Sequence, residues 1–189
     1  MGASHIRLTR PSLVVQGATL VCLAAIAATL SIVLSQPWLG LTLASDPDAG
    51  TVRIVAVDPS GPARAIAAPI TLRAVAPPDD AAQAVALEAG AAGSGETVVV
   101  QPTRTPVGAL PAAFWVQLLT GAASLLIGAW VWAMRPADIA TRLFAFSGAM
   151  ITLAAYPAAI YSSRELAIDG NLFRLLSALN HTGTIGFGI

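Results

Sequence analysis

The chain has 189 residues, of which 56% are hydrophobic and only 11% are charged, and its mean hydropathy is +0.73. This composition excludes an ordinary soluble domain and predicts a membrane protein. Ten basic residues, all arginine, balance ten acidic ones, so there is no net basic field to hold nucleic acid and no acidic surplus to attract basic partners. The single cysteine, Cys22, excludes an intramolecular disulfide and lies in an apolar run, which predicts a small buried residue.

The first apolar run extends from Leu13 to Leu34 without a charge, and this is long enough to cross a bilayer as a helix of about 20 residues. A cleaved signal peptide would have an apolar core of only about 7 to 15 residues, followed by small residues at the cleavage site. Large apolar residues stand there instead. The sequence therefore predicts a cytoplasmic tail over 1–11 and an uncleaved transmembrane helix over 12–35.

Three further apolar segments follow. The segment 111–134 carries indoles near both ends, as expected at the two membrane interfaces: Trp115, Trp130 and Trp132. A third span is predicted over 143–161, with Pro157 expected to kink its last turn. A fourth apolar run begins near Leu172 and predicts an incomplete transmembrane helix over 171–189.

The placement of arginine predicts the orientation. Arg7 and Arg10 precede the first span, and Arg135 and Arg142 flank the short loop 135–142. Positive residues favour the cytoplasmic side, so these segments are expected inside. The stretches 36–110 and 162–170 are then extracytoplasmic, although the second contains one arginine whose charge is offset by two acidic residues: Arg164, Glu165 and Asp169.

The stretch 36–110 contains short alternating runs separated by turn residues rich in proline, glycine and aspartate. The run TVRIVAV places Val52, Ile54 and Ala56 on one face, and the run PITLRAV over 69–75 alternates in the same way. WLGLTL, QAVALEA and ETVVVQP are weaker candidates for strands. These patterns predict a small β-rich domain outside the membrane.

The order WLGLTL, a short acidic turn and VRIVAVDPSGPARA resembles the front half of a bacterial PDZ domain. The resemblance implies a loop that opens a strand whose edge accepts a peptide C-terminus, with loop N–H groups meeting the carboxylate. By position, the peptide-binding candidates are Trp38, Leu39, Gly40 and Leu41. The alternative is a β-domain in which Gly40 only makes a turn. The family's next segment, a Gly-Asp turn and a strand ending in Asn-Gly, does not occur in this sequence.

The order of FWVQLLTGAASLLIGAWVWAMRP, ATRLFAFSGAMITLAAYPAAIYSSRELAI and LFRLLSALNHTGTIGFG resembles the membrane sensor region of bacterial two-component histidine kinases. The resemblance implies an anchor helix, a PDZ-like outer domain and a helical bundle that precede a cytoplasmic kinase core. The kinase core itself is missing from these 189 residues, which suggests the front part of a longer protein or a truncated gene. His181 is followed by Thr-Gly, so it does not match a phosphoacceptor histidine.

Polar side chains at membrane depth are candidates for function because an ionisable group at a helix centre costs about 2.5 to 3.5 kcal/mol. The ligand or signal candidates are Asn180, His181 and Arg174. Asn180 and His181 are expected near mid-membrane, either as a titrating or ligand-contacting pair or as hydrogen-bond partners of Ser147 or Thr152. Arg174 and Gln117 are expected near the outer ends of their helices, where a long side chain reaches the interface.

The predicted fold class is a membrane α-helical protein with three complete transmembrane helices, an incomplete fourth, and a small β-rich, PDZ-like outer domain. No catalytic constellation, metal site or cofactor site is predicted. The predicted function is a sensory input module of a histidine kinase in the bacterial inner membrane. A membrane-anchored peptide-binding adaptor or protease-assembly protein and a small transporter subunit are the alternatives. The partners considered are the bilayer, a peptide or protein outside it, and a second copy in a homodimer.

The predicted orientation can be tested by cysteine labelling in a Cys22→Ala background. A cysteine at Ser60 is expected to react with a membrane-impermeant maleimide on intact cells, whereas one at Ala137 is expected to react only after lysis. The reverse pattern would mean that the topology is inverted.

Overall fold

The computed structural model describes residues 10–46, 51–64, 70–73, 85–89, 96–165 and 169–188. The chain divides into two compact units. A helical unit comprises Met1–Ser31, Pro111–Ser162 and Asn171–Ile189, and a strand unit comprises Ile32–Leu110 and Ser163–Gly170. The short connection between the last two helices thus belongs to the strand unit.

The described residues contain four α-helices: α1 (Arg10–Ser35), α2 (Ala112–Met134), α3 (Ile139–Ser163) and α4 (Gly170–Phe187). The first three contain segments long and apolar enough to cross a membrane, over Leu13–Ser35, Ala112–Met134 and Ile139–Ser163, which confirms the prediction of three such helices. Large apolar side chains on them are widely exposed, as expected of surfaces that face lipid: Leu20, Val116, Leu119 and Trp130 are each more than half exposed.

Helix α3 begins at Ile139, four residues before the predicted start of its span. Asp138 caps it, because a carboxylate oxygen of Asp138 accepts a hydrogen bond from the Ala140 N–H at 2.9 Å. The Thr141 hydroxyl also donates to the Arg135 carbonyl at 2.7 Å. Hydropathy marks where a segment becomes apolar, whereas these polar bonds decide where the helix begins.

Small residues allow the helix backbones to approach closely. A Cβ atom added to Gly128 would lie 3.1 Å from the Ala145 Cα, and one added to Gly148 would overlap the Ser124 carbonyl oxygen. One added to Gly121 would lie 2.6 Å from the Tyr156 ring. These three contacts match the use of small residues where membrane helices meet.

Polar side chains on the packed faces bond to the backbone of neighbouring helices. The Thr152 hydroxyl donates to the Gly121 carbonyl at 2.8 Å and to the Gly148 carbonyl at 2.9 Å. The Asn180 amide donates to the Ala154 carbonyl at 2.9 Å. Cys22 is buried, as predicted, with its sulfur 3.6 Å from the Tyr156 hydroxyl. These bonds satisfy polar groups that would otherwise face hydrocarbon.

The strand unit contains two sheets. A five-stranded antiparallel sheet has the order β2 to β6, and its strands are β2 (Leu41–Asp46), β3 (Thr51–Val57), β4 (Ile70–Arg73), β5 (Val85–Ala89) and β6 (Glu96–Val100). A two-stranded ladder pairs β1 (Pro37–Trp38) with β7 (Thr103–Arg104). The prediction of a small strand-containing part is therefore confirmed.

A bulge in β3 changes the predicted face of that strand. Thr42 pairs with Ala56 and Leu43 pairs with Ile54, so Val55 is an extra residue opposite β2. Ile54 is fully buried but Ala56 is exposed. The sequence placed Ile54 and Ala56 on one face, but they differ in burial, because the extra residue of a bulge interrupts the alternation of side chains.

The β1–β7 ladder joins the entry and exit of the segment 36–110. The Thr105 N–H and the Thr105 hydroxyl both donate to the Gln36 carbonyl, at 3.2 Å and 3.1 Å. A turn of 3₁₀ helix over Val107–Ala109 then leads to Pro111, and α2 begins directly after it. This pairing fixes the two ends of the strand segment beside each other.

Gly183→Ala is expected to weaken the packing of α4 on α3. A Cβ atom there would lie 2.5 Å from the Met150 carbonyl oxygen and 2.6 Å from the Ala154 nitrogen, and such overpacking costs about 1 to 3 kcal/mol. Hydrogen exchange in nanodiscs should show faster exchange across α4. Gly17→Ala is the matched control, because nothing lies within 4 Å of its added Cβ and alanine favours a helix. Equal protection of α4 in both variants would contradict the packing described.

Candidate carboxylate-binding site

The segment between β1 and β2 surrounds a carboxylate. The N–H groups of Leu39 and Gly40 donate to Oε2 of Glu165, at 2.8 Å and 3.1 Å. The N–H of Leu41, the first residue of β2, donates to Oε1 of Glu165 at 3.1 Å. Three consecutive backbone amides thus bind both oxygens of one side chain. We call residues 39–41 the carboxylate loop.

The carboxylate loop is shaped by bonds on its opposite side. The Leu39 carbonyl accepts a hydrogen bond from the Ala63 N–H at 3.1 Å, and the Gly40 carbonyl accepts one from the Asp58 N–H at 2.7 Å. Because each peptide plane carries its carbonyl and its N–H on opposite sides, anchoring the two carbonyls directs the following N–H groups the other way. The result is a concave arrangement of donors that suits an anion.

Gly40 is required at the centre of this loop. Its φ of +79° lies in the left-handed region, which a residue with a Cβ atom rarely adopts. A Cβ atom there would also lie 2.9 Å from the Gly61 Cα. Both the backbone conformation and the close approach to Gly61 therefore exclude a side chain at position 40.

The turn that supports the loop is itself held by local bonds. Oδ1 of Asp58 accepts hydrogen bonds from the Ser60 N–H at 2.8 Å and the Ser60 hydroxyl at 2.6 Å, and the Gly61 N–H donates to the Asp58 carbonyl at 2.9 Å. The bonds from the Ser60 hydroxyl and N–H lower the pKa of the Asp58 carboxyl from its usual value. Asp58 is thus a stable anion at neutral pH.

Opposing effects act on the Glu165 carboxyl. Burial raises its pKa above the usual value, the three backbone N–H bonds lower it in opposition, and the negative charge of Asp58 raises it again. The net direction is upward. The hydrogen bonds from the loop therefore favour the ionised carboxylate, while burial and a nearby like charge oppose it.

The structure brings together the main chains of the predicted peptide-binding residues. Leu39, Gly40 and Leu41 supply the three donors, but the side chains of Leu39 and Leu41 are buried in the core with Ile54. The Trp38 ring is buried too. In this segment the groups that bind the carboxylate are therefore backbone N–H groups.

The predicted signal candidates in α4 do not form one group. Asn180 is half-buried and bonds to the Ala154 carbonyl, rather than to the side chain of Ser147 or Thr152. His181 is exposed, and its Nδ1 lies 2.7 Å from the Ser177 carbonyl oxygen of its own helix. The two side chains therefore have separate environments, because neighbouring residues on a helix point about 100° apart.

The remaining polar candidates are also separate. Arg174 is exposed on the first turns of α4. Gln117 is half-buried, and its side-chain oxygen has no hydrogen-bond partner among the described residues. Neither observation brings a second functional group to these positions.

Sequence reasoning missed Glu165 as a site residue and counted it only as a charge that offsets Arg164. Glu165 lies 126 residues after Leu39. The sequence around Glu165 has no pattern that indicates a hydrogen-bond partner so far away. The one available signal was the resemblance of the Gly-containing loop before β2 to a PDZ domain. That resemblance implies that the loop binds a carboxylate, but it does not identify the residue or ligand that carries the carboxylate.

The helical unit contains an open apolar cavity of about 560 Å³. Arg142 is the one charged residue that lines it, and its Nε donates to the Pro136 carbonyl at 2.9 Å. The other lining residues come from α1, α2 and α3: Leu13, Val14, Gly17, Ala18, Leu125, Ala129, Trp132, Ala145, Phe146 and Ala149. A groove of this composition suits an acyl chain and carries no group for acid–base or nucleophilic chemistry.

Gly40→Ala is expected to distort the carboxylate loop. The left-handed conformation alone costs a residue with a Cβ atom roughly 1 to 2 kcal/mol, and the contact with Gly61 adds to it. Amides 39–43 should then exchange faster in the full-length chain. Gly108→Ala is the control, because nothing lies within 4 Å of its added Cβ. Unchanged exchange at 39–43 would show that the loop tolerates a side chain.

Among the described residues, no group of three histidine, cysteine or acidic side chains is placed to hold a metal ion. Comparisons of the chain with protein families, with curated proteins and with solved structures found no match. The carboxylate loop is therefore interpreted from its own geometry.

Proposed function

We propose that the chain is a membrane-embedded sensory input module whose extracytoplasmic strand unit detects a carboxylate, with the C-terminus of a peptide as the ligand. The observation that carries the proposal is the set of three consecutive N–H groups at 39–41 bound to both oxygens of Glu165. Charge-assisted hydrogen bonds to a carboxylate contribute more than neutral ones, about 1.5 to 3 kcal/mol each.

The position of the carboxylate loop supports a peptide as the ligand. Leu41 is both the third donor and the first residue of β2, and β2 is at the edge of the five-stranded sheet. An extended peptide that pairs with β2 would therefore bring its terminal carboxylate to residues 39–41. This is the strand-addition mode of peptide recognition, in which main-chain bonds supply affinity.

The position of Glu165 supports a sensory role. Glu165 follows the end of α3 by two residues, and α4 begins at Gly170, so the bound side chain belongs to the connection between α3 and α4. A ligand that changes the state of this connection changes a constraint on both helices. Such a ligand shifts the balance between two helix arrangements to the extent that it binds one of them better.

The resemblance of residues 111–189 to histidine kinase sensor regions supports a place at the front of a signalling kinase in a bacterial inner membrane. The arginines before α1 and between α2 and α3 support a cytoplasmic N-terminus, by the excess of positive residues on that side. In this arrangement the strand unit is outside and a kinase core would be inside, and α1 to α4 would transmit the state of the carboxylate loop.

A peptide-binding adaptor is the second candidate. The same observation favours it, because an edge strand beside a carboxylate loop is sufficient to hold a peptide terminus without any transmission. The two functions differ in one property. A sensor changes its membrane helices when the loop is occupied, and an adaptor does not.

Binding of C-terminal peptides tests the proposal. The full-length chain in nanodiscs is titrated with a pool of random hexapeptides that have a free C-terminal carboxylate, and with the same pool amidated. Loss of one charge-assisted bond of about 1.4 kcal/mol or more predicts at least about tenfold weaker binding of the amides. Equal binding of both pools would contradict carboxylate recognition. Exchange in α4 that changes at saturation supports the sensor, and unchanged exchange supports the adaptor.

A further inference from the structure

We propose that Glu165 is an internal competitor of the ligand, a latch that occupies the carboxylate loop and is displaced when a peptide C-terminus binds. This inference rests on the proposed carboxylate-sensing function and adds its regulation. It makes the connection between α3 and α4 the part of the chain that responds directly to the ligand.

Occupation of the loop by Glu165 and by a ligand is mutually exclusive. Oε2 of Glu165 takes the N–H groups of Leu39 and Gly40, and Oε1 takes the N–H group of Leu41. Each backbone amide has one hydrogen to donate, and all three are used. A second carboxylate therefore cannot bind these donors until Glu165 leaves.

The loop does not depend on Glu165 for its shape. The Leu39 and Gly40 carbonyls are held by the Ala63 and Asp58 N–H groups, and Gly40 packs on Gly61. These contacts remain when the side chain of Glu165 moves away. The Gly40 and Leu41 donors, whose peptide planes these bonds hold, then keep their direction, and an open latch presents a formed site rather than a collapsed one.

The electrostatics of the site allow the latch to open. Burial and the negative charge of Asp58 both raise the pKa of the Glu165 carboxyl, so they oppose its ionised form in the loop. The hydrogen bonds favour the docked state and these two effects disfavour it. The C-terminal carboxylate of a peptide can therefore replace the Glu165 carboxylate, because the rest of the peptide gains further hydrogen bonds along β2.

Displacement of Glu165 affects the connection between α3 and α4, because Glu165 is part of it. The residue lies within the segment Ser163–Gly170, which packs as part of the strand unit although it connects α3 to α4 of the helical unit. Release of Glu165 removes three hydrogen bonds that hold this segment to residues 39–41. Ligand binding thereby releases the connection between α3 and α4 from the carboxylate loop.

The latch predicts that Glu165→Ala increases peptide affinity. If Glu165 occupies the loop for nine-tenths of the time, the wild-type affinity is reduced about tenfold, and the variant recovers this factor. The full-length wild type and variant in nanodiscs are titrated with the free-carboxylate hexapeptide pool. Hydrogen exchange at Leu39, Gly40 and Leu41 is measured without peptide, and it is expected to be at least about tenfold faster in the variant.

Two further variants keep the test decisive. Glu88→Gln removes an equal charge from β5 and is expected to leave both affinity and exchange unchanged. Glu165→Gln keeps the size and one acceptor oxygen, so it should give an intermediate affinity if Glu165→Ala disturbs folding. Exchange in β3 over 52–57 reports whether the strand unit remains folded.

The outcomes separate the two proposals. Faster exchange at 39–41 together with tighter peptide binding supports the latch. If Glu165→Ala leaves the peptide affinity at the wild-type value, the latch is overturned, but the proposed function still stands. Failure of the wild type and of both Glu165 variants to prefer free-carboxylate peptides overturns the proposed function, and the exchange data alone then show whether Glu165 occupies the loop.

Discussion

A side chain cannot be accommodated at Gly40, because its Cβ atom would meet Gly61 at 2.9 Å and the φ of +79° disfavours any residue that has one. The geometry of the carboxylate loop depends on this close approach. It lets the turn after β3 reach the carbonyls of Leu39 and Gly40, and those two bonds direct the donors toward the carboxylate. A backbone approach of this kind prepares a binding site before any ligand arrives, so the cost of ordering the loop is met during folding.

Backbone proximity also organises the helical unit. Gly148 meets the Ser124 carbonyl, and Gly183 meets the backbone at Met150 and Ala154, so the helices lie closer together than larger side chains would permit. Lipid tails are as apolar as leucine, and burial of apolar surface therefore drives membrane helices together less than it drives a soluble core. Close backbone contact and bonds such as that from Asn180 to Ala154 supply the specificity instead.

The charge of Glu165 is balanced in an uncommon way. Its described hydrogen-bond donors are backbone amides, which cannot be deprotonated and do not move independently of the fold. Main-chain N–H donors of this kind can bind an anion without any bond from the side chains of residues 39–41. This property suits recognition of a chain terminus, and it also explains why an internal glutamate can occupy the same donors.

The sequence by itself determined the elements whose cause is local. Continuous apolar runs predicted three helices able to cross a membrane, and alternating residues predicted β3, because each of these depends on composition or spacing along one segment. Residues 38–41 became peptide-binding candidates through the resemblance of this stretch to a PDZ domain, rather than through composition or spacing. Tertiary structure decided the rest. The bulge at Val55 depends on pairing with β2, and the partner of Asn180 depends on how α4 packs. Above all, the hydrogen bonds between Glu165 and residues 39–41 connect positions more than 120 residues apart. The sequence around a carboxylate does not indicate which distant backbone amides will bind it.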